Sequence, residues 1–167
     1  MLESITIITL CVLFLIFFRP GKTPPLDSPL DIERPGKYHM TLAPKLNLAQ
    51  PFIESIIKEL GTAGDTSQSS ATQCFEVHDK RVTAHGHGFY LLAITQRKGM
   101  LYFQAIAPRQ QLENGESHQN ILLKATHAAL ANASPDESHN AETDERIVAA
   151  IENAAHQHQI EIKRLSA

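Results

Sequence analysis

Cysteine is scarce in this chain: of 167 residues only Cys11 and Cys74 carry a thiol. Cys11 sits inside a long apolar run, so the polar remainder has one thiol and no route to an internal disulfide, which fits a reducing compartment. Lys and Arg are absent before Arg19. The segment therefore lacks the basic start of a cleaved secretory signal, and after the apolar run comes Arg19-Pro20-Gly21-Lys22 instead of a small-residue cleavage site. There is no surplus of positive charge either. Fifteen basic against eighteen acidic residues leave a formal charge of −3, with no electrostatic footprint for nucleic acid. Catalytic signatures are sparse too. No phosphate- or dinucleotide-binding glycine loop is present, and neither G-x-S-x-G nor H-E-x-x-H occurs. No cofactor is implied, and no internal repeat is visible.

What the chain does have is an apolar opening. Met1 to Phe18 is apolar on every side, and as a helix it would cover about 27 Å, close to the hydrocarbon thickness of a bilayer. Thr6 and Thr9 can return their hydroxyls to the helix backbone, and Arg19 can reach the interface with its long stem. Residues 1–18 are expected to be a single transmembrane anchor that holds the protein in the lipid bilayer of the cell membrane. The basic residues Arg19, Lys22, Arg34 and Lys37 all follow the span, which puts the carboxyl-terminal part in the cytoplasm. Residues 19–36, with five prolines in eighteen positions, read as a semi-rigid spacer.

Residues 37–167 have the length for one modest core. Lys37 to Ala43 reads as a strand stopped by Pro44. A helix follows, with Asn47 as N-cap, Gln50 three residues on, and Phe52, Ile53, Ile56, Ile57 and Leu60 as its apolar stripe before Gly61. Small polar residues from Gly61 to Thr72 form a loop. Cys74 to His78 and Arg81 to His85 alternate as hairpin partners, and Phe89 to Thr95 and Met100 to Ala107 form a second hairpin around Gln96-Arg97-Lys98-Gly99. This second pair is apolar on both faces, which suits a sheet centre covered on both sides or a sheet whose outer face binds a partner. A helix over about 118–132 shows Ile121, Leu122, Ala125, Ala128 and Ala129 on one side. Another, over about 144–158, has Thr143 as N-cap and Ile147, Ala150, Ile151 and Ala154 as its stripe. Ile160 to Leu165 is a last strand. The order points to an α+β fold in which about three helices pack on a mainly antiparallel sheet.

Two constellations could carry chemistry. Cys74, His78, His85 and His87 lie within fourteen residues and offer ligand types that zinc accepts, although the spacing is not one of its compact pairs. Tyr38-His39-Met40-Thr41-Leu42 resembles one half of the double H-x-T signature of the 2H phosphoesterase family. In that family two such strands face each other, the histidines do acid and base work on a phosphodiester and the threonines hold phosphate oxygens. The resemblance implies a catalytic role for His39 and Thr41. The second half is missing, since His85-Gly86-His87 and His127-Ala128-Ala129 carry no hydroxyl two residues after the histidine.

With no complete catalytic set, the expected function is that of a non-catalytic adaptor that holds a membrane-associated protein partner at the bilayer. The organisation is similar to that of membrane-tethered adaptors of bacterial division and secretion machines. The expected partner surface is the doubly apolar hairpin, through Tyr90, Leu92, Tyr102 and Phe103. The enzyme alternative would use His39 and Thr41, or a metal held by Cys74, His78, His85 and His87.

Overall fold

The computed structural model describes residues 28–61, 68–82, 87–109, 111–112, 115–131 and 139–165. The expected anchor, residues 1–18, lies outside them. Among the described residues no helix is long and apolar enough to cross a membrane.

Six strands form one sheet: β1 (Leu30–Arg34), β2 (Tyr38–Leu42), β3 (Gln73–His78), β4 (Tyr90–Arg97), β5 (Met100–Ile106) and β6 (Glu161–Leu165), in the spatial order β1-β2-β5-β4-β3-β6. Only the β2–β5 pair is parallel. Among the described residues three α-helices complete the α+β fold: α1 (Gln50–Gly61), α2 (His118–Ala129) and α3 (Ala141–His158).

Strand β1 lies inside the stretch that reads as a spacer. Leu30 and Ile32 pack against the core while Asp31, Glu33 and Arg34 face water. The alternation is there in Leu30-Asp31-Ile32-Glu33, but the flanking prolines mask it. Pro35 and Gly36 then make the β1–β2 turn. The ring fixes φ at Pro35, Gly36 takes a positive φ of 72°, and Lys37 N–H donates to the Arg34 carbonyl at 2.9 Å.

The other tight hairpin joins β4 to β5. Lys98 and Gly99 both have positive φ, 46° and 79°, which is what a two-residue turn needs to follow the strand twist.

The sheet has two layers of side chains. On one face, Met40, Leu42, Phe75, Val77, Tyr90, Leu92, Ile94 and Phe103 meet the stripes of α1 and α3, namely Phe52, Ile53, Ile56 and Leu60 with Ile147, Ala150, Ile151 and Ala154. Burying each of the larger ones stabilises the fold by about 1.5–3 kcal/mol. On the other face, Cys74, Leu91 and Ala93 pack under Leu122 of α2. The centre of the sheet is thus covered on both sides, which accounts for the unbroken apolar run of β4.

Several local expectations are corrected. Asn47 does not cap α1; it begins a 3-10 turn, Asn47–Ala49, with no side-chain cap bond at its start. The hairpin expected between Cys74–His78 and Arg81–His85 is not how β3 is paired, because β4 and β6 take its two edges. Instead Asp79 to Val82 close on themselves, Val82 N–H donating to the Asp79 carbonyl at 2.9 Å, and residues 83–86 lie outside the described part. The inward side of α2 is Leu122, Thr126 and Leu130; Ala128 and Ala129 are exposed. Thr126 can be buried because its hydroxyl donates to the Leu122 carbonyl at 2.8 Å. The cap of α3 is Asn140, not Thr143, and its side chain accepts from Glu142 N–H. Of the small polar loop, Ser70 is stitched to β4: its N–H donates to the Gln96 carbonyl and its hydroxyl accepts from Gln96 N–H.

Candidate functional site

Helix α2 packs on β3, β4 and β5. The outer face of β1 and β2, with the adjoining part of β5, carries a polar patch. Register places its members: Asp31 faces Thr41, Glu33 faces His39, His39 faces Tyr102 and Thr41 faces Gln104. Paired residues project from the same face, so period-two alternation assembles these side chains from three strands.

His39 Nε2 lies 2.6 Å from Asp31 Oδ1. Thr41 Oγ1 reaches the same imidazole nitrogen at 3.5 Å and the same carboxylate oxygen at 3.5 Å. The Tyr102 ring sits beside His39 with centroids 6.1 Å apart. A histidine that relays a proton from a hydroxyl to an orienting carboxylate needs one partner on each ring nitrogen. Here both partners converge on Nε2, so the imidazole is not placed between them. Asp31 is also 66% exposed, which leaves its carboxylate in water. The arrangement is a polar clasp between an edge strand and its neighbour.

The four residues expected to form one partner surface do not share a face. Tyr90, Leu92 and Phe103 are at most 2% exposed and belong to the core under α1 and α3. Tyr102, next to Phe103 in sequence, points the other way and is partly accessible. Of the set, only Tyr102 lies on the outer patch.

The expected zinc ligands are also separated. Cys74 is buried beside Leu122, and that burial pushes its thiol up to about 11, whereas a metal takes the thiolate. His78 shares the Cys74 face, as alternation requires, but its ring lies against Phe89 at 5.2 Å and its Nε2 is 3.7 Å from Glu76. His85 lies outside the described residues. His87 and His118 join His78 around the Phe89 ring, at 5.7 and 5.8 Å. Among the described residues no three metal-ligating side chains converge on one point.

The sequence offered no sign of one further feature. A cavity of about 370 Å³ opens at the end of the sheet that bears the two tight turns. Arg34 and Lys37 come from the β1–β2 turn, Gln96 and Gly99 from the β4–β5 hairpin, Ile57, Leu60 and Gly61 from α1, and Arg146 from α3. A second cavity, of about 390 Å³, lies between the start of α2 and β6. The carboxylates of its described lining carry ion pairs, Glu76 with Lys163 at 3.6 Å and Glu116 with Lys124 and Arg109 at 3.1 and 3.4 Å, and its Arg164 donates to Gln73 Oε1 at 2.6 Å. Comparison with protein families, with curated proteins and with solved structures finds no match, so the chemistry has to be argued from these residues themselves.

Proposed function

We propose that this chain is a membrane-anchored binding module that holds a membrane-associated protein partner and performs no reaction of its own. The observation that carries this reading is the outer face of the sheet around Tyr102, where α2 packs on β3 to β5 and the β1–β2 flank presents Asp31, His39, Thr41 and Gln104 beside an aromatic ring. An aromatic side chain amid hydrogen-bonding groups is a composition that protein interfaces favour. The apolar run 1–18 supports a span, the positive residues just after it support a cytoplasmic body, and the proline-rich residues before Leu30 support a tether that holds the domain off the lipid. The convergence of Asp31 and Thr41 on one nitrogen of His39 speaks against the phosphodiesterase alternative.

Two measurements test the reading. Full-length protein should sediment with membranes from a detergent-free lysate; its recovery in the supernatant would remove the anchor and with it the adaptor role. Crosslinking in intact membranes should then yield a discrete adduct that Tyr102→Asp abolishes while leaving the melting temperature unchanged. The same adduct in both proteins would remove the outer face as the docking surface.

A further inference from the structure

We propose that the cavity between the two tight turns and helices α1 and α3 is a binding site for a small phosphate monoester bearing an apolar group. Of the two cavities described above it is the one whose described lining contains three cations, Arg34, Lys37 and Arg146, and no carboxylate. The rest of that lining is largely apolar, through Tyr38, Ile57, Leu60 and Leu101. A volume of about 370 Å³ falls at the small end of the range for small-molecule sites, about 300–1,000 Å³.

The cations are held in place by the fold. The Pro35-Gly36 turn sets Arg34 and Lys37 on one rim, clamped by the Lys37 N–H bond to Arg34 and by Leu101 N–H donating to the Lys37 carbonyl at 3.0 Å. Arg34 lies over the Tyr38 ring, 5.7 Å from its centroid. Arg146 reaches in from α3 and donates to Gln96 Oε1 at 3.1 Å, which orients its guanidinium. Two guanidinium groups and an ammonium suit a dianion: the planar forks match phosphate oxygens and the lysine adds a point charge. A phosphate monoester supplies both that dianion and an apolar part for the Tyr38, Ile57, Leu60 and Leu101 walls. The ester could belong to a soluble metabolite or to the headgroup of an anionic lipid such as phosphatidate, and the chemistry recognised is the same.

The test uses the full-length protein in zwitterionic micelles, titrated calorimetrically with phenyl phosphate, inorganic phosphate and phenol. Phenyl phosphate should bind at least about ten-fold more tightly than either fragment, a difference of about 1.4 kcal/mol. The double variant Arg34→Gln/Lys37→Gln changes two exposed residues and should keep its melting temperature while losing about ten-fold in affinity or more. Tyr102→Asp, on the other face, should bind as the unaltered chain does, which separates this site from the partner surface. Reconstitution with and without phosphatidate tells the sources apart: competition by the lipid assigns a headgroup, and its absence assigns a soluble ester. Phenyl phosphate binding no tighter than inorganic phosphate, or unchanged in the double variant, would overturn the proposal.

Discussion

Asp31 and His39 meet across the β1–β2 pair with a carboxylate oxygen 2.6 Å from Nε2, and Thr41 touches both. The contact ties the edge strand to its neighbour. Because Asp31 is largely exposed, a polar contact of this kind is worth at most about 1 kcal/mol. Asp31→Ala and His39→Ala should therefore each lower the unfolding free energy by no more than about that amount, measured by urea titration. Neither the unaltered chain nor the variants should turn over a cyclic phosphodiester above the buffer rate. Turnover that disappears in His39→Ala would restore the enzyme reading.

Tyr90 supplies a different test. Its ring fills the core, and its hydroxyl is buried with no hydrogen-bond partner among the described residues. Burial also holds its phenol well above the ordinary value of 10.0. An unpaired buried hydroxyl costs about 1–3 kcal/mol, so Tyr90→Phe should be neutral or stabilising by up to that amount, whereas Tyr90→Ala should cost about 3–5 kcal/mol. Thermal melts of both variants give the comparison. A clear loss of stability in Tyr90→Phe would show that the hydroxyl has a partner.

Acid should find a weak point at Asp79. Its carboxylate is buried, which by itself raises the pKa. The side-chain and backbone hydrogen bonds from Arg81 and the guanidinium charge outweigh this and hold it below the ordinary 3.8. Arg81 grips both oxygens, at 2.9 and 2.8 Å. A folded-state pKa below the unfolded one contributes stability that is present above about 3.8 and lost as pH falls through the folded value. Asp79→Asn should cost about 1.5–3 kcal/mol at neutral pH, the range for hydrogen bonds to a charged group. The difference between the two proteins should shrink in urea titrations below pH 4. A gap that stays constant to pH 2 would rule out the carboxylate as its source.

The elements that repeat with their own period were legible before the structure. Phe52, Ile53, Ile56 and Leu60 mark α1 at 3.6-residue spacing, Ile147, Ala150, Ile151 and Ala154 mark α3, and Gly99 marks the hairpin turn. Alternation also says that Cys74 and His78 share a face. It does not say which strand lies alongside, and the edges of β3 are taken by β4 and β6 and not by the strand next in sequence. Nor can four apolar residues be grouped by hydrophobicity alone: Tyr102 and Phe103 are neighbours in sequence and point to opposite layers. The cationic cavity was invisible because Arg34 and Arg146 are brought together only by the packing of α3 on the sheet. Arg34-Pro35-Gly36-Lys37, by contrast, carries its turn signature openly, inside a stretch whose prolines equally suit a spacer.

Cys74 should behave as a buried apolar residue and not as a reactive thiol. It lies under Leu122 between Ala93 and Leu165, and burial raises its pKa from 9.0 to about 11. At pH 8 the Cys74 thiol, read in a Cys11→Ser background that leaves it the single thiol, should react with a disulfide reagent far more slowly in the folded protein than in urea, since the thiolate is the attacking species. A folded-state value above the unfolded one contributes stability that is complete below pH 9 and fades as pH rises through about 11. Cys74→Ala removes that titration, so its alkaline unfolding should shift relative to the unaltered chain within this window, together with a pH-independent loss from the smaller side chain. Following unfolding between pH 8 and 11 for both proteins separates the two effects. Rapid modification of the native thiol at pH 8 would place Cys74 at the surface and reopen its candidacy as a metal ligand.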